Sequence, residues 1–123
     1  MRVLPLLFAL AAAPVSAQAM PKGDAAAGKA VFVQCSACHS LKPGQNKIGP
    51  SLARIIGRKS GSVPNFKYSK ANASSGIVWT EANLFKYLEN PRRTIPGTTM
   101  AFAGIKDPQR RANLIAFLKA NGG

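Results

Sequence analysis

The residues best able to do chemistry are concentrated in one pentapeptide, Cys35-Ser36-Ala37-Cys38-His39, which holds both cysteines and the only histidine of the chain. Two cysteines separated by two residues and followed at once by histidine form the C-x-x-C-H pattern of a c-type haem attachment site. The thiols can bond two vinyl groups on one edge of the macrocycle, and the next imidazole then lies under the metal. The pattern predicts haem covalently attached through Cys35 and Cys38, with His39 binding the iron.

Three other uses of the two cysteines compete with this interpretation. A thioredoxin-like redox dithiol lies beside a βαβ pattern, and no such pattern surrounds this pair. Structural zinc takes about four nitrogen or sulfur ligands, whereas the cysteines and histidine of this chain supply three. A disulfide between Cys35 and Cys38 stays open as an alternative, but it gives His39 no role. Haem attachment is therefore favoured.

Residues 1–19 have the features of a secretory signal peptide. Arg2 gives a positive start, residues 4–13 form a short apolar run, and Ala17-Gln18-Ala19 fits a small-residue cleavage site. The apolar run is too short to span a bilayer as a retained helix. We expect the mature chain to begin at Met20, with cleavage after Ala17 as the alternative. Residues 20–123 then form one small domain.

The charge of the chain is strongly unbalanced. Seventeen basic residues face four acidic ones, so the formal net charge is +13 at pH 7 and +12 once Arg2 has left with the signal. A solvated basic surface is the simplest explanation, and nucleic acid is the usual partner of so basic a domain. Export argues against nucleic acid. We expect acidic protein partners attracted by electrostatic steering, and an anionic lipid surface is a further candidate.

The pattern of apolar residues, caps and breakers predicts three helices and no strand. The helices are expected over Asp24 to Gln34, over Thr80 to Asn90, and from Asp107 to Gly122. Gly28 interrupts the first helix, and a glycine there indicates that another backbone passes close by, which we expect to be that of the last helix. Lys42 to Gly76 is rich in turn residues and is expected to be mostly loop. The predicted class is all-α, with helices and long loops wrapped round one haem.

Met100 is the candidate for the other side of the iron. Apart from Met1 and Met20 it is the only methionine, and it follows a Pro-Gly turn. A lone methionine often only fills a gap in a core. Here the turn and its polar neighbours rule out a helical apolar stripe, so a thioether ligand opposite His39 is favoured.

The order of these motifs resembles the class I cytochromes c, in particular the mitochondrial type and the bacterial cytochromes c2. The resemblance covers residues 23–118. Its motifs are Gly28 with Phe32, Cys35-Ser36-Ala37-Cys38-His39, Gly49-Pro50-Ser51-Leu52, Gly57-Arg58-Lys59, Trp79, Tyr87-Leu88-Glu89-Asn90-Pro91, Ile95-Pro96-Gly97-Thr98 with Met100, and Phe102-Ala103-Gly104.

The resemblance implies roles for further haem-binding residues. The carbonyl of Pro50 would accept from the second nitrogen of His39 and fix the ring. Donors to a buried haem propionate would be Arg58, Tyr68 and Trp79. A polar cluster beside the methionine ligand would comprise Asn72, Tyr87 and Thr98. Phe102 would shield the haem from solvent.

The function implied by the resemblance is that of a soluble, monomeric, periplasmic carrier of single electrons, not an enzyme. Its partners would be a bc1-type complex, a terminal oxidase or a photosynthetic reaction centre, met at a basic ring round the haem edge. Matching positions in that ring are Lys47, Arg92, Arg93 and Lys106. Thr99 and Asp107 stand where mitochondrial members usually have lysine, which leaves the choice of partner open.

Three rival functions remain distinguishable by experiment. A haem catalyst or gas sensor needs an open sixth coordination position, so the test is whether Met100 binds iron. A thiol oxidoreductase using Cys35 and Cys38 would contain no covalent haem. A basic module that binds lipid or polyanion could coexist with electron transfer.

Overall fold

The computed structural model describes residues 1, 3–9 and 19–122. Most of the predicted signal peptide lies outside this described part, including the alternative cleavage site after Ala17, so the signal and its cleavage after Ala19 stay predictions. The chain forms five helices within the described ranges: α1 (Ala25–Ser36), α2 (Lys70–Ala73), α3 (Glu81–Glu89), α4 (Pro91–Thr94) and α5 (Pro108–Ala120). None of the helices in those ranges is long and apolar enough to cross a bilayer.

The first and last helices pack directly on each other, as predicted. Asp24 caps α1 by accepting from the amides of Ala26 and Ala27, and Asp107 caps α5 by accepting from that of Gln109. At the crossing, Gly28 lies so close to Asn113 that a Cβ atom would collide with the Asn113 carbonyl group. A glycine is therefore required there for the backbones to approach.

The third predicted helix is α3, which begins after the N-cap Thr80 and ends before Asn90. Its buried face is apolar and packs against α5. Pro91 follows this helix and starts the short helix α4, because the Asn90 side chain caps a new turn by accepting from the amide of Arg93. Proline suits the first helical turn, since the amide it lacks would have no partner there.

The long loop between α1 and α3 is fastened at several points and contains one helical turn, α2, which the sequence did not predict. An isolated antiparallel bridge joins Lys59 to Val78, and it is the only strand-like pairing in the described residues. The hydroxyls of Ser60 and Ser75 lie 2.6 Å apart and close the loop further. The loop is thereby held against the helices around a central cavity. The all-α prediction is confirmed.

Candidate haem site

One cavity of about 320 Å³ lies between the helices and the fastened loop. All the predicted site residues contribute to its walls, although they come from separate stretches of the chain. They are Cys35, Cys38, His39, Pro50, Arg58, Tyr68, Asn72, Trp79, Tyr87, Thr98, Met100 and Phe102. The remaining wall is largely apolar, formed by residues such as Leu52, Ile55, Leu84 and Leu118. An apolar cavity with a few convergent polar groups is the usual form of a cofactor site.

The two cysteines lie at the C-terminal end of α1. The amides of Cys38 and His39 both donate to the carbonyl oxygen of Cys35, at 3.1 Å and 3.0 Å, which wraps the chain into a tight turn there. Both thiols are free. Burial, and secondarily the neighbouring Cys38, raises the pKa of the Cys35 thiol to about 11. The turn thus presents two thiols and an imidazole to one side of the cavity.

The orientation of the imidazole is fixed by its neighbours. Nδ1 of His39 lies 2.7 Å from the carbonyl oxygen of Pro50. A carbonyl can only accept, so Nδ1 carries the proton and Nε2 keeps a lone pair for a metal. Burial lowers the pKa of His39, and the Pro50 hydrogen bond opposes that shift, while the charges of Arg58 and Lys47 add to it. The ring is therefore neutral, as a metal ligand must be.

Gly49 is a site residue that was not predicted individually. A Cβ atom at this position would overlap the His39 ring. The amide of Gly49 donates to the carbonyl of Cys38 at 2.8 Å, which ties this stretch to the cysteine turn. Its place directly before Pro50 is the sequence signal that could have identified it.

Met100 reaches the same cavity from the segment between α4 and α5. The Tyr87 hydroxyl lies 4.0 Å from its sulfur, and the Met100 amide donates to the hydroxyl of Thr98 at 3.3 Å. Burial raises the pKa of Tyr87 to about 12, with a hydrogen bond to Thr98 acting in the opposite direction. Asn72 Oδ1 is buried and has no hydrogen-bond partner among the described residues. The two groups that contact Met100, Tyr87 and Thr98, are thus polar but neutral.

The three predicted propionate donors, Arg58, Tyr68 and Trp79, line the cavity. They differ in the hydrogen bonds that their side chains already make within the protein. The two terminal nitrogens of Arg58 already donate to backbone carbonyls, to that of Ser51 at 2.7 Å and to that of Ala53. Each of these nitrogens retains a second proton. The Tyr68 hydroxyl accepts from the amide of Val63 at 3.0 Å, so its own proton stays available. Trp79 is buried and its ring centroid lies 4.6 Å from that of Tyr87.

The donor set of the cavity fits an iron porphyrin. Soft thioether and neutral imidazole are ligands that iron accepts in haem proteins, and two cysteine thiols at one end suit covalent attachment. The apolar wall suits the flat hydrocarbon body of the macrocycle. The unpartnered Asn72 Oδ1 indicates that this wall is completed by a further polar group or water.

Comparison with known proteins agrees with this chemistry. The family model "Cytochrome c" matches residues 25–121. The chain is 51% identical over 116 residues to cytochrome c2 of Blastochloris viridis, covering 92% of this chain and 87% of that protein. It is 44% identical over an aligned length of 124 to cytochrome c2 of Rhodomicrobium vannielii, covering 100% and 99%.

A solved structure resembles the fold as a whole. Cytochrome cH from Methylobacterium extorquens superimposes with a TM-score of 0.75 at 40% sequence identity, covering 80% of this chain and 99% of that one. With the matched family model and its own C-x-x-C-H motif, the chain belongs to the cytochrome c family: it is a class I c-type cytochrome, an electron carrier with one covalently attached haem c, and not an enzyme.

Proposed function

We propose that this protein is a periplasmic carrier of single electrons whose iron is held by His39 and Met100. The observation that carries the ligand assignment is that one cavity contains both a histidine whose Nε2 is left free by the Nδ1 bond to Pro50 and a methionine sulfur beside Tyr87. The covalent bonds would come from Cys35 and Cys38.

The residues of the cavity would restrict the haem to electron transfer, with no substrate at the iron. When bound, the haem supplies one-electron Fe(II)/Fe(III) chemistry. His39 and Met100 would bind the iron in both oxidation states, leaving no room for a substrate. The apolar wall excludes water and disfavours the extra positive charge of the oxidised state, so it raises the reduction potential. Arg58, Tyr68 and Trp79 would hold a propionate, and Phe102 would cover the haem from solvent.

Export and partner choice rest on sequence and charge. The signal-like residues 1–19 support periplasmic location. The cavity wall includes Arg58 and Lys59 and none of the four acidic residues of the chain. The excess of seventeen basic over four acidic residues favours acidic docking faces, such as those of a bc1-type complex, a terminal oxidase or a photosynthetic reaction centre, with anionic lipid as a further surface. Docking of this kind weakens as salt rises, so we expect turnover with the true partner to depend on ionic strength.

Carbon monoxide binding tests the ligand assignment. Carbon monoxide can bind ferrous haem only where an axial position is open, so the wild type should react slowly and Met100→Ala rapidly, with covalent haem retained in both. Thr99→Ala is the matched control, because Thr99 lines the same cavity next to the ligand. Rapid reaction of the wild type would overturn the assignment and favour a gas sensor or haem catalyst.

A further inference from the structure

The segment that carries Met100 is a loop whose two ends meet. It leaves α3 after Glu89 and returns at Gly104, and we call residues 90–104 the Met100 loop. The amide of Ile105 donates to the carbonyl of Leu88 at 2.8 Å. Gly104 has a φ of 107° and lies so close to Glu89 that a Cβ atom would collide with its carbonyl oxygen. The loop therefore has a narrow neck at which its entry and exit are in contact.

One buried cation touches both sides of this neck. Arg111 is 1% exposed, and its Nη1 donates to the carbonyl oxygen of Ile105 at 3.0 Å. The same nitrogen lies 3.6 Å from Oε2 of Glu89, whose side chain is half exposed. The guanidinium carbon lies 4.3 Å from the centroid of the Phe85 ring, so α3 supports the cation from a second direction.

Stability of the core alone does not explain an arginine here. A buried cation loses its hydration, and a well-packed apolar side chain often serves stability equally well or better. Arg111 Nε is also buried with no hydrogen-bond partner among the described residues, which adds a further cost. The contacts that the guanidinium does make join the end of α3 to the return of the Met100 loop. Arg111 therefore links two chain segments that are separate in the sequence.

We propose that Arg111 is a positioning residue for the iron ligand: it closes the neck of the Met100 loop and so keeps the Met100 sulfur at the iron. Opening of the loop releases the methionine, and the free energy of that local opening depends on the contacts that hold the ends together. Without the guanidinium, the carbonyl of Ile105 loses its hydrogen-bond donor, and the carboxylate of Glu89 loses the positive charge beside it. This inference rests on the proposed ligation by Met100.

Imidazole binding to the ferric holoprotein measures how often the loop opens. Imidazole can take the sixth position only when Met100 has left, so its apparent association constant is scaled by the fraction of open protein. We expect Arg111→Leu to raise that constant about tenfold, the effect of one lost hydrogen bond to a charged donor. Glu89→Gln should raise it at least about twofold, because the weaker and more exposed contact is lost.

The control separates loop opening from general loss of stability. Asn113 lies on α5 and accepts from the Asp24 amide at 2.9 Å, so Asn113→Ala weakens the joint with α1 and leaves the neck intact. Its imidazole affinity should stay within about twofold of the wild type even though its unfolding midpoint falls. A rise in Arg111→Leu no larger than in Asn113→Ala would overturn the inference.

Three further outcomes separate the role of Arg111 from the ligand assignment. If Arg111→Leu yields no holoprotein, Glu89→Gln becomes the deciding variant, and an unchanged imidazole affinity there overturns the inference. If the wild type itself shows no spectroscopic sign of methionine ligation and binds imidazole as tightly as Met100→Ala does, the proposed ligand assignment has failed, and the role given to Arg111 fails with it. A methionine-ligated wild type with an unresponsive Arg111→Leu removes the Arg111 inference alone.

Discussion

The Nδ1 atom of His39 donates to the carbonyl oxygen of Pro50 at 2.7 Å, and this one bond fixes both the tautomer and the direction of the ring. A carbonyl acceptor on the far nitrogen raises the basicity of the nitrogen that faces the metal. Gly49, next to Pro50, leaves just enough space for the ring. Orientation of the proposed ligand thus depends on two adjacent residues from a stretch of the loop that lies outside the helices.

Gly49→Ala should be severely destabilising. The added methyl group would overlap the His39 ring, which covalent attachment and the Pro50 bond prevent from moving away, so we expect a loss of about 3 kcal/mol in unfolding free energy and a low yield of holoprotein. Gly44→Ala is the control, because no atom lies within 4 Å of its added methyl group and only its φ of 75° is unfavourable. Its cost should stay near 1 kcal/mol. Equal losses in denaturant unfolding of the two variants would contradict the steric account.

Tyr87→Phe should lower the reduction potential. The Tyr87 hydroxyl lies 4.0 Å from the Met100 sulfur and can draw electron density from it, which favours Fe(II). Loss of a weak hydrogen bond of this kind corresponds to a shift on the order of 20–50 mV for a one-electron couple. Equilibrium redox titration of both proteins measures the shift. An unchanged or raised potential would show that the hydroxyl does not act on the sulfur.

The same residue should make stability depend on pH in the alkaline range. Burial raises the pKa of Tyr87 from 10.0 to about 12, so the folded protein favours the neutral phenol. That contribution is complete below pH 10 and is lost between pH 10 and 12, where the unfolded chain has released its proton and the folded chain has not. Relative to Tyr87→Phe, the wild type should therefore lose up to about 1.4 kcal/mol per pH unit in that window.

Denaturant unfolding of both proteins at several pH values from 9 to 12 checks this slope, since the other titrating groups are common to the two and cancel in the difference. A difference that does not change with pH would show that the phenol ionises as easily in the folded protein as in the unfolded chain.

Gly28→Ala should change the stability of the protein through two opposing effects, helix propensity and steric overlap. Alanine is the better helix former, which alone would stabilise α1 by about 1 kcal/mol. The added methyl group would, however, meet the Asn113 carbonyl and the Cβ of Phe117, and the two helices would have to separate. We expect a net loss of about 2–3 kcal/mol. Ala30→Gly, at an exposed position in the middle of the same helix, reports the propensity effect alone. A stabilised Gly28→Ala protein in thermal unfolding would show that the helices do not pack this closely.

The sequence predicted the elements that local signals define. Helices α1, α3 and α5 carry recognisable caps and apolar faces, and all the proposed site residues reached one cavity. Helices α2 and α4 escaped prediction because four residues are too few to show periodicity. The different environments of Arg110 and Arg111 were also unpredictable: the two residues are identical and adjacent, yet the first is exposed and the second is buried. Only the packing of α5 against α3 distinguishes them.

The most direct test of the account is the optical spectrum of the purified holoprotein in both oxidation states. Ligation by His39 and Met100 should give sharp low-spin c-type bands in the ferrous form and the weak red band of methionine-ligated ferric haem. A high-spin ferric spectrum without the red band would mean that the sixth position is open, and would contradict the assignment of Met100 as the second iron ligand.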